Sequence, residues 1–186
     1  LPISSPPPLP KERVEEARPF EIVGIDYTGF IEIFNPDTKL EQKVYVVLFT
    51  CAVTRAIHLE LVTNLTAETF LNAFRRFVSR RSCPKLIMSD NASNFKLGSE
   101  LLDQILRSVE VQDEFNRREC EWRFIPPRAP WFGGFYERLI GIVKGCLKKI
   151  LFRKPVNIDD LHTIITEIEC RVRSEERRVG KECRSR

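Results

Sequence analysis

The apolar run Ile22-Val23-Gly24-Ile25 stops at an aspartate, Asp26, and a second run, Leu86-Ile87-Met88, stops at Ser89 and another aspartate, Asp90. Each run is too short for a buried helix and is flanked by turn formers, so each reads as a buried strand. A carboxylate at the tip of a buried strand is unfavourable unless something cationic meets it. A third acid, Glu137, sits where the Gly-rich stretch Trp131-Phe132-Gly133-Gly134-Phe135 runs into a helical pattern. Two strand-end carboxylates and one helix carboxylate suggest a shared cationic partner, and a pair of divalent metal ions fits that requirement.

The rest of the chain supplies a scaffold for those strands. Phe20 to Thr28, Lys43 to Cys51 and Ala56 to Val62 read as strands, the last two forming an antiparallel hairpin. Asn35-Pro36-Asp37 marks a turn before the hairpin. Thr66 is placed to cap a helix with Glu68 in its first turn, and Phe70, Leu71, Phe74, Phe77 and Val78 form its apolar stripe. Cys83-Pro84 ends that helix, and Lys85 to Ser89 is the next strand. Leu101 to Phe115 reads as one helix, Glu121 to Ile125 as a strand, and Pro126 to Pro130 as a loop, because three prolines oppose both helix and central strand. The helical period returns from Phe135 to Phe152. A last helix, capped by Asn157 or Asp159, buries Leu161, Ile164, Ile165 and Ile168. Strands joined through helical crossovers make an α/β fold with helices covering the sheet.

Composition narrows the class further. At 186 residues, 42% hydrophobic and 30% charged, the chain suits one globular domain with tails. The longest apolar run, Val44 to Phe49, is too short to span a bilayer, so no membrane association is expected. The proline-rich start lacks the basic and apolar regions of a secretory signal. None of the six cysteines forms a C-x-x-C pair; Cys51, Cys146 and Cys170 fall in apolar patterns and read as core residues of a protein in a reducing compartment. With only two histidines, no zinc site is expected. The net charge is +4, but Arg173 to Arg186 alone supplies +3, so overall charge does not establish nucleic-acid binding and any such affinity must come from local patches.

The segments Gly24-Ile25-Asp26-Tyr27-Thr28-Gly29, Ser89-Asp90-Asn91-Ala92-Ser93-Asn94-Phe95 and Pro130-Trp131-Phe132-Gly133-Gly134-Phe135-Tyr136-Glu137-Arg138 together resemble the three blocks of a D,D,E-type integrase catalytic core of retroviruses and LTR retrotransposons. The resemblance covers roughly Pro10 to Val172 and is closest to the BEL/Pao group. It implies an RNase H-like fold with a mixed five-stranded sheet flanked by helices. It also implies 3′-end processing and strand transfer of DNA, with Asp26, Asp90 and Glu137 as catalytic ligands of two Mg²⁺ or Mn²⁺ ions. Double-stranded DNA would be the partner, the cores would form homo-oligomers, and the site of action would be the nucleus after a stage in cytoplasmic virus-like particles.

Around those acids, Asn91, Asn94, Arg128, Arg138, Lys144 and Lys148 are the candidate DNA contacts. Glu137, Gly141, Lys144 and Lys148 share one helix face, while Leu139, Val143, Cys146 and Ile150 lie on another. Gly133-Gly134 reads as a hinge before Glu137, and Trp131 and Phe132 are candidates for stacking on a base or pinning the loop. Two features depart from the family pattern. The 46 residues between Asp90 and Glu137 exceed the retroviral spacing, with the excess assigned to Asp103–Glu121 as an extended helix or surface insertion. Ala92 stands where many integrases have glycine. Residues 1–18 read as a Pro-rich linker, 19–172 as the core and 173–186 as a charged tail foreign to it, with a basic DNA-binding arm as the alternative for the tail. The competing functions are an RNase H-type nuclease and a decayed or domesticated integrase serving as a nucleic-acid-binding scaffold.

Overall fold

The computed structural model describes residues 17–35, 39–89, 97–125, 130–151 and 156–182, with side chains described for 17–34, 39–89, 101–125, 138–151 and 156–172. Six strands form one sheet: β1 (Ile22–Tyr27), β2 (Ile31–Asn35), β3 (Leu40–Cys51), β4 (Ile57–Val62), β5 (Leu86–Ser89) and β6 (Glu121–Phe124). The described helices are α1 (Ala67–Arg80), α2 (Leu97–Leu106), α3 (Val109–Arg117), α4 (Pro130–Leu151) and α5 (Ile158–Glu182). β1 pairs antiparallel with β3 and parallel with β5, and β5 pairs parallel with β6.

The sheet has six strands where five are expected, because β1 and β2 are two parts of one edge of β3. Val23 faces Cys51 and Tyr27 faces Val47, while Ile31 faces Val44 and Asn35 faces Leu40, so the register slips by one residue between the two parts. Thr28 still pairs with Val46 through a 2.9 Å backbone bond, which leaves Gly29 and Phe30 opposite Tyr45 alone. Two residues against one is a β-bulge. The Thr28 hydroxyl stands in for the displaced backbone acceptor, receiving the Val46 amide at 3.1 Å. The other edge of β3 carries β4. Counting β1 and β2 as one position, the sheet runs β4-β3-β1-β5-β6 with only the β4-β3-β1 part antiparallel, the arrangement of an RNase H-like fold.

Strand alternation divides the core into two layers. Val23, Ile25, Tyr27, Val47 and Phe49 meet Phe70, Phe74 and Phe77 of α1 and Phe115 of α3. On the opposite face Val44, Val46, Leu48 and Met88 meet Leu139 and Val143 of α4 and Leu161, Ile165 and Ile168 of α5. The expected stripes of α1 and α5 are therefore the buried ones. Thr66 caps α1 as expected, its hydroxyl accepting from the Thr69 amide, and the Thr69 hydroxyl completes a reciprocal capping box. Thr66→Ala should lower stability by about 1 kcal/mol, measured by urea denaturation. Asn157 rather than Asp159 caps α5, its side-chain oxygen accepting from the Asp160 amide at 2.8 Å.

Four expectations are corrected. The single helix expected over Leu101–Phe115 is two, because the chain turns extended at Ser108 (ψ 147°) and its hydroxyl donates back to the Ile105 carbonyl. α3 within the longer spacer is no surface insertion, since Val111 and Phe115 are buried and Phe115 meets Phe74 edge-on at 5.2 Å. The hinge expected at Gly133-Gly134 is helical backbone: α4 starts at Pro130, whose fixed φ suits a first helical position. Cys170 is exposed on α5, whereas Cys51 and Cys120 are buried, and burial pushes the Cys120 thiol up to about 12. The turn expected at Pro36-Asp37 lies outside the described residues. Backbone of the charged stretch from Arg173 continues α5 to Glu182.

Candidate active site

Asp26 lies on the central strand. It pairs with Leu48, a residue of the α4–α5 layer, so its side chain faces that layer and not the α1 layer. It is 28% exposed, with Oδ1 accepting the Tyr27 amide at 2.7 Å and Oδ2 lying 3.8 Å from Lys144 Nζ. The neighbouring residue Tyr27 points the other way, where burial raises its hydroxyl pKa and its oxygen has no hydrogen-bond partner among the described residues. Alternation along one strand thus separates a reachable carboxylate from a sealed phenol.

The adjacent strand ends at the same level. Ile25 pairs in parallel register with Ser89, the last residue of β5, so Asp26 and Asp90 each follow a paired position by one residue. Ser89 is fixed on both sides of its peptide: its hydroxyl accepts from the Trp122 indole at 3.0 Å and its carbonyl from the Ile125 amide at 3.0 Å. Asp90 itself, with Asn91, Asn94 and Arg128, lies outside the described residues.

α4 lies over this end of the sheet. Leu139, Val143 and Leu147 are buried, which turns the stripe of Gly141, Lys144 and Lys148 toward solvent and the tip of β1. The backbone of Glu137 belongs to the same helix two turns before Lys144, about 10 Å along the axis at 1.5 Å per residue; its side chain lies outside those described. Arg138 is exposed at the edge of the same helix, and Lys148 is exposed one turn beyond Lys144. Among the described residues, no group of three His, Cys, Asp or Glu side chains is placed to hold a metal ion. Among the described residues there, Asp26 suits a hard-cation ligand as a partly exposed carboxylate, with the Lys144 ammonium as its present cationic partner.

A second charged cluster, on β4 two strands from Asp26, was not foreseen from sequence. His58 and Glu60 on β4 are both buried, and His58 Nε2 lies 2.9 Å from Glu60 Oε1. Arg76 and Arg80 of α1 reach Glu60 at 2.6 and 3.1 Å. Glu169 of α5 meets Arg81, lies 3.6 Å from His58 Nδ1, and accepts the Leu59 amide at 3.2 Å. Burial disfavours the His58 imidazolium, but the carboxylates of Glu169 and Glu60 outweigh it and raise its pKa. Burial likewise disfavours the charged carboxylates, yet His58 and the arginines hold both below the usual carboxylate value.

The chain has the fold of retroviral integrase catalytic cores. The magnesium-bound catalytic core domain of HTLV-2 integrase in a dimeric form matches at 19% identity with a TM-score of 0.56, over 81% of this chain and 84% of that one. A chain of the simian T-cell lymphotropic virus intasome in complex with PP2A regulatory subunit B56 gamma matches at 15% identity with a TM-score of 0.59, over 87% of this chain and 51% of that one. A trimeric form of the HTLV-2 core matches at 18% identity with a TM-score of 0.54. No family model and no curated protein sequence matches the chain.

Proposed function

We propose that this chain is the catalytic core of an LTR-retrotransposon integrase, nearest the BEL/Pao group, which processes DNA 3′ ends and joins them to target DNA. The observation that carries this reading is Asp26, a reachable carboxylate on the central strand beside the strand that leads into Asp90 and under the helix that carries Glu137. The fold shared with retroviral cores supports it, as does magnesium in the HTLV-2 structures. The dimeric and trimeric forms of that core, and the intasome of the simian chain, support self-association and DNA as partners. Action in the nucleus follows from the same reading.

Asp26, Asp90 and Glu137 would hold the metal ions. Two bound divalent ions would supply Lewis-acid activation of the attacking and leaving oxygens of a phosphodiester. The protein side of the reaction is positional. Lys144, Lys148 and Arg138 hold the phosphate backbone along the α4 stripe. A water oxygen attacks the phosphorus of a phosphodiester near the DNA 3′ end; its P–O3′ bond breaks, the departing oxygen takes up a proton as the new 3′-hydroxyl, and the terminal fragment leaves with a 5′-phosphate. The freed 3′-hydroxyl then loses its proton and attacks a target phosphodiester in line, forming the new P–O bond as the target's own 3′-oxygen leaves as a hydroxyl. Neither displacement needs a side-chain nucleophile.

The test is strand joining on a branched DNA that mimics the integration product, with Mn²⁺ or Mg²⁺, for the wild-type chain and Asp90→Asn. Metal-dependent joining abolished by the substitution is expected. A folded wild-type chain with no joining and no metal binding would instead leave a nucleic-acid-binding scaffold; cleavage of RNA in a hybrid without joining would leave an RNase H-type nuclease.

A further inference from the structure

The bulge between β1 and β2 opens a groove beside Asp26. It has a volume of about 410 Å³ and runs between Thr28–Glu32 and the C-terminal half of α4. Ile31, Leu147 and Leu151 make its floor apolar, while Lys144 and Lys148 stand along one side. Lys144 belongs both to the groove and to Asp26, 3.8 Å away, so the groove adjoins the carboxylate directly. Phe30 lines the groove and is 56% exposed. Lys43 Nζ sits 4.8 Å from its ring centroid and steadies the ring. Over Gly29 the space is open, with nothing within 4 Å of where a Cβ would stand.

An exposed aromatic ring, an apolar floor and two ammonium groups at the side match the two halves of a nucleotide: a flat base and its phosphates. Glu32, exposed on the rim, disfavours phosphate at the Phe30 end and so fixes the direction. We propose that this groove holds one unpaired nucleotide of the DNA strand next to the reacting phosphodiester, its base stacked on Phe30 and its phosphates against Lys144 and Lys148. The proposal rests on the integrase reading and names what that site takes beyond a paired duplex. The register slip creates the site, because an unbulged strand would keep Phe30 in the ladder.

The experiment measures binding of the full chain, in magnesium buffer, to a duplex with a two-nucleotide unpaired overhang carrying 2-aminopurine and to the same duplex made blunt. Fluorescence anisotropy gives affinity, and 2-aminopurine emission reports stacking. Wild type should prefer the overhang and quench its emission. Phe30→Ala should weaken overhang binding about tenfold, abolish the quench and leave blunt binding unchanged, while Phe30→Trp should restore both. Thermal melting of Phe30→Ala checks that the exposed ring is not needed for folding. Equal binding of both DNAs by wild type, or an unchanged quench in a folded Phe30→Ala, would overturn the groove assignment. Strand joining by the same wild-type preparation separates the two claims: joining without overhang preference overturns the groove alone, and neither joining nor DNA binding overturns the integrase reading with it.

Discussion

Asp26→Asn is expected to lower metal-dependent strand joining about a thousandfold, the equivalent of about 4 kcal/mol of transition-state stabilisation. The substitution keeps shape and can keep the Tyr27 amide bond, but it removes the negative charge that a hard cation requires. A second readout separates metal binding from chemistry. Millimolar Mn²⁺ should raise the melting temperature of the wild-type chain, because a ligand of the folded state stabilises it by mass action. The same addition should leave Asp26→Asn unmoved. A melting temperature that rises equally in both proteins would place the metal elsewhere. Lys144 sharpens the expectation, since its ammonium already sits 3.8 Å from Asp26 and a bound cation must compete with it. Lys144→Ala should therefore tighten Mn²⁺ binding while weakening DNA binding.

The second large effect belongs to the charged cluster on β4. Glu60→Ala should lower stability by about 3 kcal/mol, because it strips a buried histidine and two arginines of their shared carboxylate. Its pH dependence has two limbs. The pKa values of Glu60 and Glu169 are lowered on folding from the usual 4.5, so their contribution is full above that value and is lost as pH falls through the lower folded values. His58 is raised from 6.5, so its contribution is full below that value and is lost as pH rises through the higher folded value. The cluster therefore stabilises most between the two ordinary values. Urea denaturation across pH should show a plateau there, and His58→Gln should remove the alkaline decline. An alkaline decline of undiminished slope in His58→Gln would show that another group sets it.

The strands that carry Asp26 and lead into Asp90 were legible because both are short apolar runs with abrupt polar ends. The solvent-facing stripe of Gly141, Lys144 and Lys148 was legible because helical spacing alone defines it. β2 was not read, although Ile31 and Ile33 alternate with Glu32 and Phe34 as a half-buried strand should. The bulge at Gly29 and Phe30 breaks the alternation and hides the continuity with β1. The start of α4 was placed late because two adjacent glycines disfavour helix; the propensity was outweighed by Pro130 at the first position and the buried residues Leu139, Val143 and Leu147 further along. The cluster around His58 was beyond reach of spacing. Leu59 and Glu169 stand 110 positions apart, and only the packing of α5 brings them together.

That contact bears on how copies of the chain can associate. β4 is an outer strand of the sheet, and an outer strand with open amides invites another chain to extend the ladder. Glu169 occupies the Leu59 amide, and the arginines of α1 crowd the same border with charge. Extension of the sheet by a strand of a second copy is thereby discouraged on this side.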